Sequence, residues 1–332
     1  MTRRRGSARA GRLCAIVATT FALLAIGATP AAASTVWERA RDATQGERDY
    51  AHVYAIGQER EADLFDALAS AGGEPSGFDR ARAVLARENA RAVLERFGAR
   101  SSDDLRLRFD LGRVLARLQR CDEARLLLQS ALRAAPNDPG ASTAWFDLAI
   151  CDARLGLRAE EERAYVAALD LADDPTERAV LFGNLAEARM GLGDLEGAIG
   201  AADLALAVAP DAVLVRWTLA VIRDRAGDSF GALEEARLAI GLDPDYAGLR
   251  SPAVFFEPDY EVHWYEGLGE IAHARAEPPK TEAWELHLFA ALHAFDAYVQ
   301  AAPPTDRWRT RAIERERDVE RMLGITAKRP SK

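Results

Sequence analysis

From Leu105 onward the apolar positions fall into short stripes at helical spacing, each broken by a polar turn. The stripes repeat. Leu185-Ala186, Gly193-Asp194, Ala198, Ala205 and Pro210 recur as Leu219-Ala220, Gly227-Asp228, Ala232, Ala239 and Pro244, every pair 34 residues apart. A fixed period of this size marks stacked helix-turn-helix units. Leu111-Gly112, Ala124, Ala131 and Pro136 take the same offsets, with Gln119 where the turn glycine is expected. The unit between them gives Leu148-Ala149, Gly156, Tyr165 and Ala168, with Glu161 in place of a small residue and Pro175 two residues late.

The spacing has a packing reason. Ala198 and Ala205 are seven apart and share one helix face, so two backbones can approach closely while Leu fills the remaining space. Gly193 suits a left-handed cap at the end of the first helix, and Asp194 can cap the next. Pro210 and Pro244 stop the second helix.

The flanks are helical but lose the register. Thr35 with Glu38 reads as a capping box opening a helical stretch to Leu68, with breaks expected near Gly46 and Gly57. A Gly- and Pro-rich loop over 72–77 precedes a second helix from about Asp79 to Phe97. After Pro244, residues 245–262 read as an ordered insertion. A helix then carries Trp264, Leu268 and Ile271, and a longer one, capped by Thr281, runs to Pro303-Pro304. We take these two as an expanded fifth unit. A last charged helix, about Thr305 to Leu323, has the polar outer face of a terminal cap.

The pattern of small residues, turn glycine and terminal proline resembles the tetratricopeptide repeat family. The resemblance implies an all-α, right-handed superhelical solenoid of antiparallel helix pairs, with an N-terminal helical pair and a C-terminal capping helix. The organisation expected is a leader at 1–33, an N-terminal helical region at 34–103, four repeats over 104–247, the insertion with the expanded pair and cap over 248–324, and a disordered tail at 325–332.

Charge and composition narrow the function. The 332 residues carry 43 basic and 52 acidic side chains, net −9, and lysine occurs only at 280, 328 and 332. The first 33 residues hold five Arg and no acid, so the remainder has 38 basic against 52 acidic residues, or −14. That excludes the basic footprint of a nucleic-acid binder. Arg3, Arg4, Arg5, Arg9 and Arg12, an apolar run from Leu13 to Ala28, and Ala31-Ala32-Ala33 before Ser34 read as a secretory signal. The run is short for a bilayer crossing, and an uncleaved anchor is the alternative. The expected location is the periplasm or cell envelope, or outside the cell, with no integral membrane span in the mature chain. Removing the leader and its Cys14 leaves Cys121 and Cys151 on neighbouring units. In an oxidising compartment they form either a disulfide or two buried thiols acting as small apolar residues.

No catalytic constellation emerges, and neither a cofactor nor a metal is expected. Histidines at 52, 263, 273, 287 and 293 lack the pairing of a zinc helix. No Gly-x-Ser-x-Gly elbow occurs. The expected role is recognition of a protein or peptide segment, since in tetratricopeptide proteins the first helix of each unit lines a concave groove. The resemblance places Arg106, Phe109, Arg113 and Arg117 on that face in the first unit, Phe146, Ile150 and Arg154 in the next, then Glu187, then Trp217, Val221 and Arg225. Arg and aromatic residues are enriched at interface hot spots. Such a groove suits a partner with apolar anchors and some carboxylates. The same aromatics can equally be core shared between neighbouring helices. Phe255, Phe256, Tyr260, Trp264 and Tyr265 either form a second contact surface or pack the insertion onto the preceding repeat. The other readings are a structural subunit of an envelope assembly, and an enzyme or ligand-binding protein with a site near 248–304.

Overall fold

Each apolar stripe is a helix and each polar break a turn in the computed structural model of the chain, which describes residues 36–71, 77–251 and 254–325. The leader, Thr35 of the capping box, most of the 72–77 loop and the tail beyond 325 lie outside the described residues. The chain divides into units 1–44 and 45–332, and all the repeats lie in the second. Five helix pairs follow one another. They are α3 (Leu105–Arg117) with α4 (Cys121–Ala134), α5 (Ala141–Arg154) with α6 (Arg158–Leu171), α7 (Pro175–Leu192) with α8 (Leu195–Val208), α9 (Val213–Arg225) with α10 (Ser229–Leu242), and α11 (Val262–Ala276) with α12 (Glu282–Ala301). Two helices precede them, α1 (Val36–Ala71) and α2 (Gly77–Arg96), and α13 (Arg309–Leu323) closes the array. Among the described residues there is no strand. The fold is an all-α solenoid of antiparallel helix pairs.

The turn chemistry sets the pairs. Gly193 and Gly227 take φ of 83° and 90°, and Asp194 and Asp228 accept hydrogen bonds from Gly197 N and Gly231 N to cap α8 and α10. Gly156 has φ 70°, and Gln119, at the position where the glycine is missing, keeps the same left-handed conformation at φ 59°. The turn geometry therefore survives the loss of the residue that suits it. Ala198, Ala202 and Ala205 on α8, and Ala232, Ala236 and Ala239 on α10, are fully buried, as close helix contact requires.

First helices also touch across three of the unit boundaries, α3 with α5, α7 with α9 and α9 with α11. The breaks expected near Gly46 and Gly57 are absent, because α1 runs unbroken through both. A glycine inside a helix costs only about 1 kcal/mol against alanine, too little to end a long helix on its own.

At the C-terminal end a buried polar network joins the apolar packing of Ala312 and Val319. Asp224 on α9 is wholly inaccessible and accepts from Trp264 Nε1 at 3.0 Å and from the Arg315 guanidinium of α13, which also donates to Ser229 Oγ at 2.6 Å. Arg311 donates to the Asp224 carbonyl. The capping helix is thus fixed by charge to the fourth unit.

Candidate partner-binding groove

The eleven groove residues read from the sequence separate into two groups. At the N-terminal end they face open space. Arg113 and Arg117 on α3 border a cavity of about 290 Å³ between α1, α3 and α5, together with Ile56, Glu59, Arg60 and Asp110. Arg113 is partly exposed, and its Nε lies 3.3 Å from the carboxylate of Asp147 on α5. Arg106 is exposed and held by Asp104 and Asp49 at 2.7 and 2.9 Å, which keeps it at the rim.

The carboxylates of this cavity are already engaged. Asp110 accepts from His52 Nδ1 at 2.6 Å, Glu59 and Asp63 face Arg87, and Asp147 faces Arg113. Burial raises the pKa values of Glu59, Asp110 and Asp147 against the pull of nearby cations, Arg117 among them for Glu59 and Asp147. Among the described residues Arg60 and Arg117 enter no ion pair, and Glu59 Oε1 is buried without a donor. The site therefore has two guanidinium groups without a direct ion pair, Arg117 acting on Glu59 and Asp147 from a distance, and one unmet acceptor. An extended chain segment supplies the matching groups, carboxylates and backbone N–H.

Toward the C-terminal end the expected line is covered. Trp217 is 0% exposed and stacks on Tyr246 at 5.5 Å, with Gly269 of α11 leaving the room it needs. Val221 is likewise buried. Arg225, with a side chain 1% exposed, pairs with Glu261 at 2.5 Å and lies over the rings of Trp264 and Trp308. Phe109 is buried near Gly140, between the first and second units. These four residues are corrected from groove to core. An aromatic or branched side chain on the inner face of one first helix is enclosed where the next first helix touches it. Phe146 and Ile150 are half-buried, Phe146 lying 6.2 Å from Tyr165, and Glu187 accepts from Thr218 Oγ1 at 2.8 Å.

Arg154 meets the aromatic insertion. Its guanidinium lies 3.9 Å from the centre of the Phe255 ring, and Arg158 donates to the carbonyl of Glu257. The aromatic insertion thus reaches back to the second unit, farther than the preceding repeat. Phe256 turns the other way, edge-on to Tyr265 at 5.1 Å.

Glu59 and Arg60 were missed because α1 lies outside the 34-residue register. Their signal was local: Ile56, Glu59, Arg60 and Asp63 share one helix face by spacing. A second cavity of about 530 Å³ lies between α4, α5 and α6, and is lined by Leu132, Trp145 and Leu148 among others. Of its charged side chains Arg163 pairs with Glu160, and Asp152 pairs with Arg125 outside the lining. Cys121 and Cys151 are free buried thiols in hydrogen-bonding contact, which lowers the pKa of Cys121 and raises that of Cys151. Among the described residues no cluster of His, Cys, Asp and Glu is arranged to hold a metal ion, and no helix is long and apolar enough to cross a membrane.

A tetratricopeptide repeat family model matches residues 78–139 and 109–177. The repeat resemblance thus has independent support over α2 to α6. Among solved structures, MamA from Desulfovibrio magneticus RS-1 is similar at 19% identity and a TM-score of 0.44, covering 55% of this chain and 96% of its own. YrrB, described as a TPR protein with an unusual peptide-binding site, shares 13% identity at a TM-score of 0.43, covering 68% of this chain and 97% of its own. The TPR2AB domain of yeast Sti1, solved as a complex with pHSP90, shares 13% identity at a TM-score of 0.24, covering 82% of this chain and 97% of its own. No curated protein matches the sequence.

Proposed function

We propose that the protein is an exported repeat scaffold that binds a segment of a partner protein at the N-terminal part of its inner face. The observation that carries this reading is the pair of guanidinium groups without a direct ion pair, Arg60 and Arg117, beside Arg113 around the open cavity. In a mature chain of net charge −14, cations without a direct carboxylate contact beside an open cavity are sites for a ligand's acid groups. Ile56, Val114 and Ala55 supply apolar surface beside them. The leader-like residues 1–33 support export, and cleavage before Ser34 would release the scaffold into the periplasm or envelope.

The test is affinity capture from the envelope fraction with the mature protein and with Arg113→Glu/Arg117→Glu. Both chains should give the same helical circular dichroism. A partner retained by the first and lost by the second supports the reading. Equal capture by both moves the contact elsewhere. Intact-mass measurement of the exported chain checks the leader, with Ser34 expected as its first residue.

A further inference from the structure

A repeat solenoid buries its apolar faces between neighbouring units, so contacts spanning a hundred residues stand out. Residues 254–258 make such contacts. They have no regular structure and lie against the turn between α5 and α6, with Phe255 under Arg154 and the Glu257 carbonyl on Arg158. Arg158 is tied into the scaffold by Glu161 at 2.8 Å. Arg154 is not: among the described residues it enters no ion pair, and its Nε is buried with no acceptor.

The site is therefore only partly filled. A guanidinium binds an aromatic face through the ring's quadrupole, but its N–H groups still require acceptors in the ring plane. Phe255 supplies the ring and nothing for those donors. The side chain of Glu257 is exposed and acts on Arg158 only through space, with no hydrogen bond or ion pair to Arg154. Phe255, half-buried, touches Arg154, while Phe256 is anchored to Tyr265. One half of the segment is held by the body of the fold and the other half by the Arg154 site alone.

We propose that residues 254–258 are a displaceable intramolecular occupant of a second binding site at Arg154 and Arg158, whose partner is an extended segment carrying an aromatic residue followed closely by a carboxylate. Such a segment would keep the ring on Arg154, satisfy its unmet donors with the acid, and take the carbonyl bond from Arg158. The site would be latent until the chain's own Phe255 leaves. This rests on the reading that the inner face of the array binds protein segments, but it uses residues separate from the Arg60, Arg113 and Arg117 cavity.

The probe is a synthetic, end-capped, fluorescein-labelled peptide of this chain's own residues 254–261, which holds Phe255, Phe256, Glu257, Asp259 and Glu261. Binding to the mature protein is read by fluorescence anisotropy. Phe255→Ala empties the ring position, leaves Phe256 in place, and should tighten binding by about tenfold or more. Arg154→Glu in the Phe255→Ala background should remove that gain, whereas Arg113→Glu should leave it intact. Equal binding before and after Phe255→Ala overturns the proposal, as does a gain that survives Arg154→Glu. Binding that depends on Arg113 alone overturns it while leaving the scaffold reading standing. Hydrogen exchange provides a second measurement independent of variants. The amides of Phe255 and Phe256 should exchange at least about tenfold faster than those of α11. Exchange of both only through global unfolding would overturn displaceability.

Discussion

Gln119 shows how far a single residue can depart from a pattern without changing the structure. It occupies the left-handed position that Gly156, Gly193 and Gly227 hold in the other units. A non-glycine residue there costs roughly 1–2 kcal/mol, against about 0.4–1 kcal/mol gained by restricting the unfolded chain. Gln119→Gly should therefore stabilise the protein by about 0.5–1 kcal/mol, read as a higher urea midpoint at unchanged slope. Glu161 is the opposite case, a charge where the repeat calls for a small side chain. Burial pushes its pKa up to about 7, although Arg158 pulls it down. A raised folded-state value means that the native chain binds the proton more tightly. The associated stability is full below the unfolded value near 4.5 and is lost as the pH rises through about 7. Glu161→Gln keeps an acceptor for Arg158 and should raise stability at pH 8 by on the order of 2 kcal/mol, with little effect at pH 4.5. Melting curves at the two pH values check this, and an equal shift at both would sink it. Trp217 is the residue the sequence misplaced. Its periodicity puts it on the inner face, and only the position of α11 shows that this face is covered.

The four regular helix pairs were legible because everything that builds them is local. Turn glycines, capping aspartates and alanine stripes act within a few residues of one another, so one chain reveals them. The junction of α9, α11 and α13 was not legible, because Asp224, Trp264 and Arg315 are brought together from positions 40 and 91 residues apart. In isolation Arg315 reads as one more surface charge on a helix full of them. Its burial makes the junction vulnerable: removing Asp224 would leave the indole N–H without its acceptor and the buried Arg315 with only Ser229 and Asp318. Asp224→Ala should cost about 3–5 kcal/mol, the range for breaking a buried ion pair from one side. Asp228→Ala, which loses only the α10 cap, should cost about 1 kcal/mol. Denaturant titrations of the two variants separate the effects. If both cost the same, α13 is not held through Asp224.

At the scale of the whole molecule, the compartment decides the chemistry of the two cysteines. Cys121 begins α4 and Cys151 lies on α5, so their contact joins the first unit to the second. The pairing was suggested by neighbouring units and an expected oxidising environment, and the fold adds the proximity without which a bridge could not form. Both thiols are buried, so an oxidant reaches them before packing completes or through local opening. Export as an unfolded chain past a disulfide-forming oxidoreductase would supply the first route, and synthesis without the leader would supply neither the oxidant nor the opportunity. A bridge closing a loop of about 30 residues would add roughly 3–4 kcal/mol by restricting the unfolded chain. The chain purified from the envelope and denatured without reductant should show no reactive thiol, and two after reduction. The leaderless chain made in a reducing cytoplasm should show two from the start, and a midpoint lower by the stated amount. Two thiols in the exported chain without reductant would make the pair a buried apolar contact between units, and would remove one reason for placing this solenoid in an oxidising compartment.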